Sequence, residues 1–116
     1  MKKYRVGVIG ATGMVGQRFI TLLDNHPWFQ LAVLAASSRS AGKTYEEALG
    51  GRWQMTTPLP ERVKNMVVYD AEKDKKKIAE SVDFVFCAVN MDKQKTKELE
   101  DAYAQLECPV ISNNSA

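Results

Sequence analysis

Apolar and polar positions along the chain follow two alternating periods. Tyr4-Arg5-Val6-Gly7-Val8-Ile9 is a short run of strand character. From Met14 to Asn25 the apolar residues Val15, Phe19, Ile20, Leu22 and Leu23 recur at helical spacing, and Pro27 ends that helix. Phe29 to Ala36 (FQLAVLAA) predicts a second strand, Ser37 to Lys43 a polar loop, and Thr44 to Leu49 a short helix. Gly50, Gly51, Pro58 and Pro60 mark a long irregular connection. Met66 to Tyr69 predicts a third strand, followed by a basic helix over Ala71 to Ser81 that Asp70 is placed to cap. Asp83 to Val89 (DFVFCAV) predicts a fourth strand, Asp92 to Leu106 a charged helix, and Pro109 to Ser112 a fifth strand.

Short, continuously apolar strands alternating with helices predict a parallel sheet covered on both faces, a doubly wound α/β fold. Ligands of such sheets bind at the carboxyl ends of the strands, near the point where strand order reverses. At 116 residues the chain is the size of one domain, and residues 1–116 are read as such. A net charge of +2 is too small to argue for nucleic acid or an anionic membrane as partner. No apolar run reaches the length of a membrane span, and none has the form of a signal peptide after Met1-Lys2-Lys3. Cys87 and Cys108 sit in or beside apolar runs and read as buried thiols, which suits a reducing cytoplasm. His26 has no neighbours at ligand spacing, so no metal site is expected. The lysines at 73, 75, 76 and 77 read as a solvated helix face.

The chemistry gathers at strand ends. Strand one runs into Gly10-Ala11-Thr12-Gly13-Met14-Val15-Gly16, a G-x-x-G-x-x-G pattern between strand and helix. Gly10 permits the turn, Gly13 lets a diphosphate approach the backbone, and Gly16 allows close helix–strand packing. The helix start near Met14 offers amides and a positive dipole end, and Thr12 adds a hydroxyl. The alternative is a glycine-rich turn with no ligand, but the strand–loop–helix context favours the Rossmann-like dinucleotide site.

About 20 residues further on, an NAD-preferring domain usually carries an acid for the ribose 2′-hydroxyl. Here the chain reads Ala36-Ser37-Ser38-Arg39-Ser40-Ala41-Gly42-Lys43, with no acid. Arg39 offers a planar donor fork for a 2′-phosphate, Ser38 and Ser40 offer hydroxyls, and Lys43 adds charge. The expected cofactor is NADP. Cys87, Ala88 and Asn90 close strand four, where small residues pass beside the nicotinamide ribose; Asn90 either bonds ligand or caps the next helix. Ser112, Asn113, Asn114 and Ser115 end strand five, with Asn113 a candidate on the nicotinamide side.

The stretches VGVIGATGMVGQRFITLL, LAASSRSAGK, FVFCAV and VISNNSA together resemble the aspartate-semialdehyde dehydrogenase family over nearly the whole chain. The resemblance is nearest to the branch typical of archaea, fungi and some bacteria. It implies an enzyme that reduces β-aspartyl phosphate with NADPH, on the path to lysine, methionine and threonine. It also implies that Thr12, Gly13, Met14 and Val15 line the pyrophosphate, and that Ser38, Arg39 and Ser40 hold the 2′-phosphate. In the family a cysteine thiolate attacks the acyl phosphate and a histidine acts as acid and base. The family's Asn-Cys nucleophile, histidine and phosphate-binding arginine have no counterparts here; neither Cys87 nor Cys108 matches. The resemblance therefore implies a dinucleotide-binding fragment without turnover of its own, from a full-length homo-oligomer in which alone the acyl-phosphate substrate would bind. Rival readings are the related N-acetyl-glutamyl-phosphate reductase, a malonyl-CoA reductase on the same scaffold, and a non-catalytic NADP-binding sensor.

Overall fold

The computed structural model describes residues 4–24, 26–55, 58–88 and 93–112. Among these residues, five strands, β1 (Tyr4–Ile9), β2 (Phe29–Ala36), β3 (Val68–Asp70), β4 (Phe84–Cys87) and β5 (Val110–Ser112), form one parallel sheet in the order β3-β2-β1-β4-β5. Among the described residues, five helices connect them: α1 (Met14–Leu23), α2 (Tyr45–Leu49), α3 (Glu61–Lys64), α4 (Lys75–Ser81) and α5 (Lys93–Gln105). This is the doubly wound arrangement that the alternation of periods predicts. Strand order reverses between β1 and β4, so the carboxyl end of β1 borders the crevice where such sheets bind ligands.

The two faces of the sheet carry separate cores. Val6, Val8, Leu34 and Val68 pack with Ile20, Tyr45, Leu49 and Val63 of α1, α2 and α3. Ile9, Val33, Ala35 and Val85 pack with Ile78, Leu99 and Tyr103 of α4 and α5. The pairing of β1 with β2 slips between Val6 and Gly7, from Leu31 to Val33. Ala32 and Val33 consequently pack toward the same core, which keeps both ends of β2 in register with apolar partners on each face.

Local chemistry explains where the boundaries fall. α2 starts at a reciprocal capping box, in which the Glu47 amide donates to Thr44 Oγ1 and the Thr44 amide to Glu47 Oε1. Gly50 ends α2 in the left-handed region at φ +56°. Three departures from the sequence reading have a clear physical cause. The connection over 50–60 leads into a one-turn helix, α3, that the proline-rich composition hid. β3 begins two residues later than expected and extends to Asp70, because the backbone around Val67 and Val68 is bound to the loop before α2. The helix expected from Ala71 begins only at Lys75. Asp70 caps the intervening turn instead, its Oδ1 accepting from the amides of Glu72 and Lys73. Among the described residues no helix is long and apolar enough to cross a membrane.

Candidate functional site

The sequence-predicted loops meet at the carboxyl edge of the sheet, around a cavity of about 370 Å³. The turn after β1 contributes Gly10, Thr12 and Gly13 to its wall; the end of β2 contributes Ala36, Ser37 and Ser38. The turn after β3 adds Asp70, Ala71 and Glu72, and Ala88 and Leu99 close the side toward β4 and α5.

The glycine loop has the geometry that its spacing requires. Gly10 lies at φ +83°, a conformation that L side chains rarely adopt. A Cβ at Gly16 would overlap the Gly10 carbonyl oxygen and come within 2.8 Å of Ala11 Cα, so α1 seats against the loop only because that residue is glycine. Gly13, the N-cap of α1, is exposed, and a Cβ there would meet nothing closer than 3.6 Å within the protein. Its openness therefore serves no internal packing. Among the described residues no backbone partner takes the Thr12, Met14 or Val15 amides, two of which belong to the first turn of a ten-residue helix. Such a turn favours an anion.

Two buried side chains grip this loop from beneath. Tyr45 donates its hydroxyl to the Ala11 carbonyl at 2.6 Å. Gln17 donates to the carbonyls of Thr12 and Arg52, both at 3.1 Å, and accepts from the Gln54 amide at 2.9 Å. Burial pushes the Tyr45 hydroxyl far above its ordinary pKa, so it stays a neutral donor.

The loop after β2 is stitched into a compact turn. The amides of Ser40 and Ala41 both donate to the Ser37 carbonyl, and the amides of Gly42 and Val68 tie the turn to β3. This leaves Ser37, Ser38, Arg39 and Lys43 exposed and Ser40 buried. Ser40 does not line the cavity and sits apart from Ser38 in that respect. Opposite this turn, Asp70 is buried, with its carboxylate facing two backbone amides rather than a cation. Tyr103 of α5 supports the same turn, donating its hydroxyl to the Ala71 carbonyl at 2.7 Å.

Of the residues singled out from sequence, Gly10, Thr12, Gly13, Ser38 and Ala88 come together on the cavity wall. Met14 and Val15 are exposed in the first turn of α1 without lining it, and Arg39 and Lys43 stand on the adjoining turn. Cys87 is fully buried behind Ala88 in the chain and reaches no cavity surface; Cys108 is buried too, and no disulfide joins them. Asn90 and Asn113 lie outside the described residues. Sequence reasoning missed Ser37, Asp70, Ala71, Glu72 and Leu99. The strand-end rule, applied to the third strand as well as the first two, would have found Asp70 and Ala71. His26, which carried no metal-site signal, has a structural role: its Nδ1 accepts from the amides of Trp28 and Phe29.

The domain family described as "Semialdehyde dehydrogenase, NAD binding domain" matches residues 5–116. The chain belongs to this family. Similar family proteins include the aspartate-semialdehyde dehydrogenase of Methanothermobacter thermautotrophicus, 47% identical over 96% of this chain, and that of Aspergillus fumigatus, 44% identical over 96%. The chain spans 30% and 29% of the lengths of these two curated relatives. Among solved structures, the Candida albicans aspartate-semialdehyde dehydrogenase with NADP superposes with a TM-score of 0.84 at 38% identity, over 98% of this chain and 30% of that one. A UDP-D-quinovosamine 4-dehydrogenase from Vibrio fischeri superposes at 0.69 with 17% identity, which shows the shared fold alone.

Proposed function

We propose that residues 1–116 form the NADP-binding domain of an aspartate-semialdehyde dehydrogenase. The observation that carries this reading is the turn after β2, where Ser37, Ser38 and Arg39 are exposed and no acid occurs from Ala36 to Lys43. The solved Candida relative, which holds NADP, supports it. The residues present fit such a ligand. Gly10 takes the positive φ of the turn, Gly16 leaves no room for a Cβ, Gly13 leaves the outer side open, and the first-turn amides of α1 suit an anion. In this reading Gly10, Thr12, Gly13, Met14 and Val15 hold the diphosphate. Ser38 and Arg39 hold the 2′-phosphate, Lys43 adds charge, and Ala88 and Asn113 form the nicotinamide side; Cys87, fully buried, lies behind that surface and not on it. Ser40, being buried, shapes the turn that presents its neighbours.

When bound, NADPH supplies the hydride; this domain orients it. This chain corresponds to 29–30% of the length of those relatives, and the nucleophile and acid/base are assigned to the rest. The whole protein would reduce β-aspartyl phosphate and release phosphate, as a cytoplasmic homo-oligomer serving lysine, methionine and threonine synthesis. The relatives quoted above favour this reading over an N-acetyl-glutamyl-phosphate reductase or a stand-alone sensor.

Arg39→Asp tests the assignment. It should weaken NADP binding by about 1–3 kcal/mol, the range of a charge-assisted hydrogen bond, and change NAD binding less. Equal losses for the two nucleotides would remove Arg39 from the 2′-phosphate site.

A further inference from the structure

We infer that Tyr45 is a positioning residue that aims the Thr12 amide into the crevice without touching the ligand, and that Gln17 braces the next peptide of the same loop. The inference rests on the reading of the glycine loop as a diphosphate cradle. Both side chains are buried, with 0% and 2% exposure, and neither lines the cavity. Their hydrogen bonds fall on two successive carbonyls of the loop, Ala11 and Thr12.

A trans peptide is planar, and its C=O and N–H point in opposite directions. Tyr45 holds the Ala11 carbonyl toward the buried side of the loop, so the N–H of the same peptide unit, that of Thr12, points to the outer side. Thr12 is partly exposed there and borders the crevice. Gln17 holds the next carbonyl, that of Thr12, whose partner amide on Gly13 donates to the Gly10 carbonyl at 3.2 Å, so this second anchor braces the loop around the Thr12 amide. An unanchored carbonyl turned outward would place a partial negative charge against an anionic ligand, where an amide should stand. Glycines on either side, at 10 and 13, leave the loop with little stiffness of its own to resist such a flip. The second hydrogen bond from Gln17, to Arg52, and the one it accepts from Gln54 lock that side chain in place from across the chain. The diphosphate cradle is thus set by a helix and a connection that lie outside the glycine motif.

The test compares two ligands. Adenosine 2′-monophosphate carries the adenine and 2′-phosphate ends of NADPH but no diphosphate. Both would be titrated into the 116-residue chain and into Tyr45→Phe and Gln17→Met variants, by calorimetry and by amide NMR. Tyr45→Phe should lower NADPH affinity about tenfold, the loss of roughly one oriented hydrogen bond, and leave adenosine 2′-monophosphate within about twofold. The Thr12 amide resonance should lose its NADPH-induced shift in the same variant. Equal losses for both ligands, or unchanged NADPH affinity, would overturn the inference. Should Tyr45→Phe fail to fold, Gln17→Met must show the same selective loss, and its absence overturns the inference too. A parent chain that binds neither ligand overturns the functional reading, and this inference with it.

Discussion

The turns after β1 and β3 border one crevice, yet they hold their shapes by different means. Each follows a strand end, and each hangs by an alanine carbonyl, Ala11 or Ala71, from the hydroxyl of a fully buried tyrosine on a helix. The first turn needs glycine: Gly10 has positive φ, and Gly16 leaves no room for a Cβ. The second contains no glycine. It is folded by side chain-to-backbone hydrogen bonds, with Asp70 Oδ1 accepting from two amides and Asp74 Oδ2 accepting from the Asp70 amide. One turn is fixed by excluded volume and the other by local hydrogen bonding. Damage to them should therefore differ in size and in kind.

The largest effect is expected from Gly16→Ala. Its new Cβ would overlap backbone rather than a flexible side chain, so α1 must move, at a cost of about 3 kcal/mol or more in urea denaturation. Gly13→Ala provides the contrast within the same loop. Its Cβ meets only ordinary contacts, so stability should fall by under about 1 kcal/mol while dinucleotide affinity drops. If both substitutions cost the same stability, the steric account of the first turn fails.

Removing either tyrosine hydroxyl should cost about 1–3 kcal/mol, since each leaves a buried carbonyl without its donor. The two turns are separate, so Tyr45→Phe and Tyr103→Phe should add nearly independently, within about 0.5 kcal/mol. A strongly non-additive double variant would show that the turns behave as one unit. Asp70→Ala should cost about 1 kcal/mol, and Asp70→Asn less, because asparagine keeps an acceptor for the Glu72 and Lys73 amides. Thermal melts of the pair would show whether the acceptor or the charge shapes the second turn.

The difference between these turns also explains what could be read from the residues alone. Gly10, Gly13 and Gly16 are visible because sterics leave few other residues possible, and the missing acid after β2 is visible because charge decides a 2′-phosphate. All five strands and the sheet class follow from apolar runs. The turn over 71–74 was hidden because Asp70 suits a helix cap and a tight turn equally well, and only the fold selects between them. Tyr45 stands next to Glu46 and Glu47 with no periodic signal, and Gln17 resembles any polar residue on an amphipathic helix. Their value lies in contacts 34 and 35 to 37 residues away in the chain, which no local pattern encodes.

The smallest effect expected is a pH dependence. Burial raises the pKa of both hydroxyls well above the ordinary tyrosine value near 10, with nearby negative charge adding to the rise at Tyr103. The folded state then keeps protons that the unfolded state releases above that pH. This stabilisation is complete below pH 10 and is lost as pH rises toward the raised values. Half a unit above the ordinary value the loss should be under about 1 kcal/mol per tyrosine, and each Phe variant should abolish its own share.

The most direct test of the central claim is an NADPH titration followed by backbone amide NMR on this chain. The account predicts shifts at Thr12, Gly13, Ser38 and Ala71 along the carboxyl edge of the sheet, with Tyr4 and Trp28 at the opposite edge unmoved. Shifts centred on Tyr4 and Trp28, or no shifts in a folded sample, would contradict it.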